Sequence, residues 1–348
     1  LKQLKTKDRF KAMDAVAFLK VAKPESKHFK EVNETVVPLL RDPRWGDSAA
    51  QLLTHWANPD LLPLLEPLLE KPNFFVTNRL MPILEKLATE EAAVPVLAKL
   101  LKERSLTSRT VNLLKKAGKK AEPHLLPLIN TTDGGLKNEI EMALTAMGTE
   151  EKTLRAQSVK DLSSEDQFIR RNAAERLKKY KPDPTMEEEF RAAGTGLLKM
   201  SKEPLNGPLA LDVMKTGWVS KDLLPELLER LEKGGFEATR IVEILAILKE
   251  PSSFEPIAVY LSKHPFAERQ VREAFIAIGS PAEEAVMKLV GNTNVVVNRS
   301  ALQILGEIGT TKSLNALTKA SATLTRIDLG SRMVLNATIT KIKERMKK

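Results

Sequence analysis

Five arginines, Arg79, Arg109, Arg170, Arg272 and Arg299, stand near the starts of apolar helical stretches. A line of guanidinium groups could hold phosphates or carboxylates through paired hydrogen bonds. Local acids compete for that role. Asp166 precedes Arg170 by four residues and Glu268 precedes Arg272 by four, the spacing that lets oppositely charged side chains meet on a helix. Structural pairing is therefore the expected use of the series. The histidines His28, His55, His124 and His264 lie far apart in the sequence, and no two have the i,i+3 or i,i+4 spacing of a helical metal site. The absence of cysteine removes disulfides, thiolate metal sites and a cysteine nucleophile together. The acidic runs Glu187-Glu188-Glu189 and Glu283-Glu284 open helical stretches, where negative charge complements the helix dipole. Gly194-Thr195-Gly196-Leu197-Leu198-Lys199 lacks the spacing of a phosphate loop, and no nucleophile elbow G-x-S-x-G is present. No residue is assigned a catalytic, cofactor-binding or metal-binding role, and the expectation is a chain that is not an enzyme and needs no cofactor.

The elements that carry these residues repeat. Val271-Arg272-Glu273-Ala274-Phe275-Ile276-Ala277-Ile278-Gly279 and Asn298-Arg299-Ser300-Ala301-Leu302-Gln303-Ile304-Leu305-Gly306-Glu307-Ile308-Gly309 are near-copies, separated by the roughly 30-residue period of a helical array. Gly118, Gly148 and Gly217 hold the same helix-ending place upstream. A second ruler is proline near the start of the second helix of a pair, as at Pro63, Pro95, Pro127, Pro225 and Pro256, where the first helical turn tolerates a missing N–H. Both rulers share one period. About ten helix pairs follow, with first helices expected near 44–57, 74–88, 207–217, 267–278 and 295–308 among others. A final helix from Ile327 to Lys347 is expected to cap the array through Ile327, Val334, Leu335, Ile339 and Ile342. Pro182-Asp183-Pro184 and Pro204-Leu205-Asn206-Gly207-Pro208 bracket a lengthened unit. The expected organisation is residues 1–181 as N-terminal repeats, 182–219 as an irregular repeat or break, and 220–348 as C-terminal repeats and cap.

The stretches Ile169 to Leu177, Val271 to Gly279 and Arg299 to Gly309 each place an arginine near a helix start and a small residue in the packed middle. In this the array resembles HEAT repeats, in particular the short bacterial form of the phycobilisome-lyase HEAT-like repeats. That resemblance implies an all-α fold, a right-handed α-α superhelix or solenoid of about ten helix pairs plus a C-terminal capping helix. It also implies that each arginine pairs with an acid in a neighbouring turn. It is specific for fold and unspecific for function.

A net charge of +10 raises the possibility of nucleic acid, and HEAT-like DNA glycosylases make base excision the alternative function. Distribution argues against it. Residues 1–30 hold nine Lys or Arg against three acids and residues 312–348 hold nine against two, which leaves the long central body slightly acidic, whereas tracking a phosphate backbone needs clustered positive charge. Bilin-lyase chemistry is disfavoured by the lack of a stretch rich in histidine or aromatics. No window reaches the roughly 20 apolar residues of a bilayer span, so a soluble protein is expected, with the cytoplasm the favoured compartment. The chain begins at Leu1 without an apolar leader, which suggests a segment of a longer protein.

The leading expectation is a scaffold that binds another protein or peptide through the concave face made by its second helices. Candidate contacts are Glu66, Lys99, Lys102, Arg155, Glu229, Arg230 and Lys288, taken as exposed charged positions of mixed sign, with Tyr260 as the aromatic candidate. Trp45, Trp56 and Trp218 are expected to fill gaps between units, and of the adjacent Phe74 and Phe75 one is expected to face outward.

Overall fold

The computed structural model describes residues 2–5, 9–69, 73–101, 106–131, 133–323 and 329–347, and among these the regular structure is entirely helical. The chain divides into two compact units, Leu1–Gln157 and Ser158–Lys348. Each has its own continuous core of buried side chains, from Leu19 to Leu144 in the first and from Val159 to Ile342 in the second.

The first unit contains α1 (Arg9–Val21), α2 (Phe29–Val36), α3 (Gly46–His55), α4 (Leu62–Leu65), α5 (Phe74–Leu87), α6 (Ala93–Leu100), α7 (Thr107–Ala117), α8 (Glu122–Leu125) and α9 (Gly134–Ala146). First helices stack on first helices, α1 on α3, α3 on α5 and α7 on α9, while α4, α6 and α8 form a second layer. This is solenoid packing, in which each pair buries its apolar stripe only against its neighbours. The second helices are short, and proline explains why. Single turns of 3-10 helix, each carrying a proline, continue α2 over Val37–Arg41, precede α4 at Pro59–Leu61, and follow α4 and α8 at Glu66–Leu68 and Leu126–Leu128. A proline removes an α-helical donor and tightens the local turn.

The division falls within α10 (Glu151–Asp161). The second unit continues with α11 (Gln167–Leu177), α12 (Glu187–Met200), α13 (Gly207–Met214), α14 (Leu224–Lys233), α15 (Ala238–Leu248), α16 (Phe254–Lys263), α17 (Glu268–Ile278), α18 (Glu283–Met287), α19 (Val295–Ile308), α20 (Thr311–Thr323) and α21 (Leu329–Met346). Its first-helix layer runs unbroken through α11, α13, α15, α17, α19 and α21, and its second layer through α14, α16, α18 and α20. The punctuated stretch 182–219 lies inside this unit, and there α12 packs on α13 while α13 joins α11 to α15.

Local chemistry sets the helix ends. Asn73, Asp133, Asp166 and Asn294 cap α5, α9, α11 and α19 by accepting from backbone N–H groups of the first turn. Gly118, Gly148, Gly217 and Gly279 follow their helices with φ between +69° and +107°, a region costly to other residues. Gly309, the partner of Gly279 in the sequence repeat, is instead extended, at φ −61° and ψ 148°.

The terminal helix takes the place of another first helix. Ser331, Leu335, Thr338 and Ile342 are buried at helical spacing, and α21 packs on both α19 and α20. Val334 and Ile339 flank that stripe half-buried, and Ile327 lies outside the described residues. Among the described residues no helix is long and apolar enough to cross a membrane.

Two tryptophans perform one task in the two units. Trp56, just past α3, donates its indole N–H to the carbonyl of Leu19 in α1 at 2.8 Å, and Trp218, past α13, donates to Leu177 at the end of α11 at 3.2 Å. Each is almost completely buried and packs beside a phenylalanine of the intervening second helix, Phe29 or Phe190. Each thus satisfies a helix-end carbonyl of the preceding repeat while filling the gap between repeats.

Candidate functional site

Four of the five arginines expected at helix starts, Arg79, Arg109, Arg170 and Arg272, act between repeats. Arg79 on α5 donates from Nε to Asp47 on α3 at 2.8 Å and from Nη1 to the carbonyls of Leu40 at 3.0 Å and Asp42 at 3.3 Å. Arg109 on α7 bonds Glu85 on α5 at 2.9 Å. Arg272 bonds Glu268 within its own helix at 2.6 Å, as the spacing indicates, and Gln303 on α19 at 2.9 Å. Arg170 departs from expectation. Its carboxylate partner is Glu203 at 2.8 Å, and it also donates to the carbonyls of Ser164 and Glu165, because Asp166 is already engaged as the cap of α11. Arg240 to Asp212 at 3.2 Å is a further rung, between α15 and α13. Orphan carbonyls at helix ends and acids of the adjoining repeat thus occupy this set of guanidinium groups.

The second-helix layer has its own rungs, spaced by one repeat: Lys99 with Glu66, Lys120 with Glu91, Lys221 with Glu250, Lys288 with Glu255 and Lys312 with Glu284. Three of the expected contact residues, Glu66, Lys99 and Lys288, belong to these half-exposed pairs. Such pairs contribute little to stability, typically below about 1 kcal/mol, and leave a surface of alternating sign.

Two candidates differ from their expected exposure. Arg155 is buried. The side chain of Arg230 is only 11% exposed, held by Glu237 and by Ser201 Oγ at 2.7 Å. For Arg230 the cause is on view: helical spacing locates a residue on a face, but Ser201 and Glu237 beyond its own helix decide whether that face is covered. Glu229 is exposed and bonded to Lys233, which holds its carboxyl below the usual range. Lys102 lies outside the described residues. Phe74 and Phe75 are both exposed, their rings edge to face at 5.8 Å.

Glu229 and Tyr260 meet at a groove of about 470 Å³ between α14 and α16. Leu228, Pro256 and Val259 supply apolar walls, Glu229, Glu232 and Glu255 bring carboxylates to it, the first and last paired with Lys233 and Lys288, and Lys263 brings a positive charge. Tyr260 is largely buried with its ring 4.6 Å from that of His264, and burial pushes its hydroxyl above the usual phenol range. An apolar trough beside carboxylates can take a lysine or arginine side chain of a partner, stem against the walls and head toward the acids. The groove joins residues about 30 apart in sequence, so the sequence points only to Glu229 and Tyr260, each through its place on a second helix.

Glu283 opens α18, where its charge complements the helix dipole, and it reaches beyond its own repeat. From the start of α18 it accepts from the backbone N–H and hydroxyl of Thr310, each at 2.7 Å, and from the N–H of Ser313 at 2.9 Å, so it caps α20 of the next repeat. Desolvation pushes its carboxyl upward, but hydrogen bonds from Ser313 and Thr310 together outweigh that and hold it below the usual range. Glu122 at the start of α8 makes the related bond to Thr149 at 2.8 Å.

No family model matches the sequence, and no curated protein matches it. Among solved structures, the chain is similar to one in a structure of Kap95p bound to RanGDP, in which Kap95p induces the switch loops to adopt the GTP-bound conformation. The identity is 15% and the TM-score 0.39, over 98% of this chain and 52% of that one. It is also similar to one in a structure of the phosphorylation switch between cadherin and β-catenin, with 11% identity and a TM-score of 0.36, over 99% of this chain and 90% of that one. The chain thus spans about half the length of the first. At these identities the likeness concerns helix arrangement alone.

Proposed function

We propose that the chain is a non-enzymatic α-solenoid of the HEAT type, related to the short bacterial HEAT-like repeats, that binds another protein through its second-helix layer. Two helices per repeat support the HEAT reading over the three of an armadillo unit. The observation that carries the binding reading is the groove between α14 and α16, an apolar trough whose flanking carboxylates include Glu229 and Glu255, each paired with a lysine, on a surface of paired charges of both signs. Such a surface suits a partner segment of mixed charge with a basic or apolar anchor.

The test is affinity capture with the intact chain from its native lysate, in parallel with a Val259→Glu variant. Val259 is exposed at the groove, so the substitution leaves the core intact. A partner retained by the wild type and lost with the variant supports the reading. Capture of no protein, together with sub-micromolar DNA binding that collapses steeply with salt, overturns it.

A further inference from the structure

Three successive first helices of the second unit are preceded by an apolar residue in the same place. Leu205, Phe236 and Phe266 each stand immediately before the N-cap residue, ahead of Asn206, Glu237 and Ala267 for α13, α15 and α17. An apolar residue there ordinarily folds back onto the fourth residue of its helix and fixes the entry of the chain. Those fourth residues, Ala210, Ile241 and Val271, are fully buried beneath the core. Leu205, Phe236 and Phe266 do not cover them: their exposures are 70%, 104% and 77%. Phe266 touches only the edge of the His264 ring, at 5.6 Å, and intramolecular packing leaves all three side chains largely in solvent. In the repeats on either side, Phe168 and Val296, the second residues of α11 and α19, are exposed as well. A single exposed apolar side chain has no meaning by itself, but three at one place in successive repeats form a row, with Phe168 and Val296 three residues further along in the repeats beyond its ends.

The first helices that carry the row pack in sequence, α11 to α13 to α15 to α17 to α19. Packed helices lie about 8–10 Å apart, so the row advances by about that distance per repeat. An α-helix advances about 10.5 Å in seven residues. The two periods differ by less than about 3 Å per step, so over three repeats a helix with an apolar residue at each seventh position would reach Leu205, Phe236 and Phe266.

Charge separates this occupant from a lipid surface. A lysine stands three residues before each of the three side chains, Lys202, Lys233 and Lys263, and a carboxylate within two residues of each, Glu203, Glu237 and Glu268. The carboxylates are ion-paired with Arg170, Arg230 and Arg272, and Lys202 and Lys233 with Glu226 and Glu229. The row is thus flanked by both signs at every step, without the one-sided positive field that draws a protein onto anionic lipid. A helix with apolar residues in heptad register and both acids and bases on its flanks complements it.

We propose that the edge of the second unit at the turns before α13, α15 and α17 is a docking ridge for an amphipathic helix of a partner protein, with Leu205, Phe236 and Phe266 as its anchors. The proposal rests on the scaffold reading for the class of partner; the row adjoins the groove at Phe266, whose ring lies 5.6 Å from that of His264 in the groove lining, while Leu205 and Phe236 stand outside that lining.

The probe is a fluorescein-labelled synthetic helix of about 24 residues, with leucines in heptad register and Lys and Glu on its flanks. Its control has the same composition with the register scrambled. The heptad helix is expected to bind the intact chain at least about tenfold more tightly than the control, to lose at least about tenfold on Leu205→Ser/Phe236→Ser/Phe266→Ser, and to be unaffected by Val259→Glu. Circular dichroism checks that the triple variant keeps its helices. Equal binding of the scrambled helix, no binding, or an unchanged affinity in the folded triple variant overturns the proposal. So does sedimentation with phosphatidylserine vesicles that the triple variant loses, which would make the row a membrane contact. Loss of the captured partner with Val259→Glu while the heptad helix fails to bind sinks the ridge and leaves the scaffold standing.

Discussion

Arg79 on α5 donates to Asp47 on α3 across the junction between two repeats at 2.8 Å. Its side chain is 11% exposed, whereas that of Asp47 is 80% exposed. The ion pair is thus the solvent-facing edge of a contact whose interior consists of bonds from Nη1 to the Leu40 and Asp42 carbonyls. Those bonds anchor the turn ahead of α3. Arg79→Ala is expected to cost about 1–3 kcal/mol, the value of hydrogen bonds to a charged group that cannot be replaced, and Asp47→Ala very little. Urea denaturation of both variants checks this, and an equal loss from the two would show that the ion pair dominates.

Gly46 exists for Arg79. It is the first residue of α3 and is buried, and a Cβ placed on it would fall on the Arg79 guanidinium. Alanine normally stabilises a helix relative to glycine by about 0.5–1 kcal/mol. Here Gly46→Ala is expected to destabilise by about 1–3 kcal/mol because the Cβ would displace the Arg79 guanidinium from its bonds to Asp47, Leu40 and Asp42, with that loss absent when the same substitution is made on Arg79→Ala. A thermal shift series reads the sign directly, and a raised melting temperature in Gly46→Ala would refute the close approach.

Glu283 links stability to acid. Its carboxyl lies below the usual range in the folded chain, so its contribution is complete above the unfolded value of about 4.3 and disappears as pH falls through the lower folded value. Glu283→Gln is expected to lower stability at pH 7 and to weaken the further loss on acidification. Denaturation midpoints at pH 7 and pH 3.5 measure this; a variant whose midpoint falls as steeply as that of the wild type would remove Glu283 from the acid response.

Phe275 on α17 is fully buried and belongs to the core of the second unit. Phe275→Ala is expected to cost about 3–5 kcal/mol. In an array held by nearest-neighbour contacts the effect should concentrate in α15, α17 and α19. Hydrogen exchange resolved by segment is the measurement, and a uniform rise across both units would contradict nearest-neighbour stacking.

The repeat period, the helical class and the phase of most first helices were legible in the sequence. A first helix expected over 295–308 is found at Val295–Ile308, and one expected over 267–278 at Glu268–Ile278. These follow from apolar spacing, capping residues and glycine stops, all of which act within a turn or two of the chain. The partner of Arg170, the burial of Arg155, the groove at Tyr260 and the outward side chains of Leu205, Phe236 and Phe266 were not legible. The partner of Arg170 and the groove at Tyr260 are decided where one repeat meets another, by residues about 30 positions away, and the others depend on which faces the folded chain leaves covered or open. Sequence spacing records which residues share a helix face, whereas only the stacked repeats determine what covers that face and which of its charges are already satisfied.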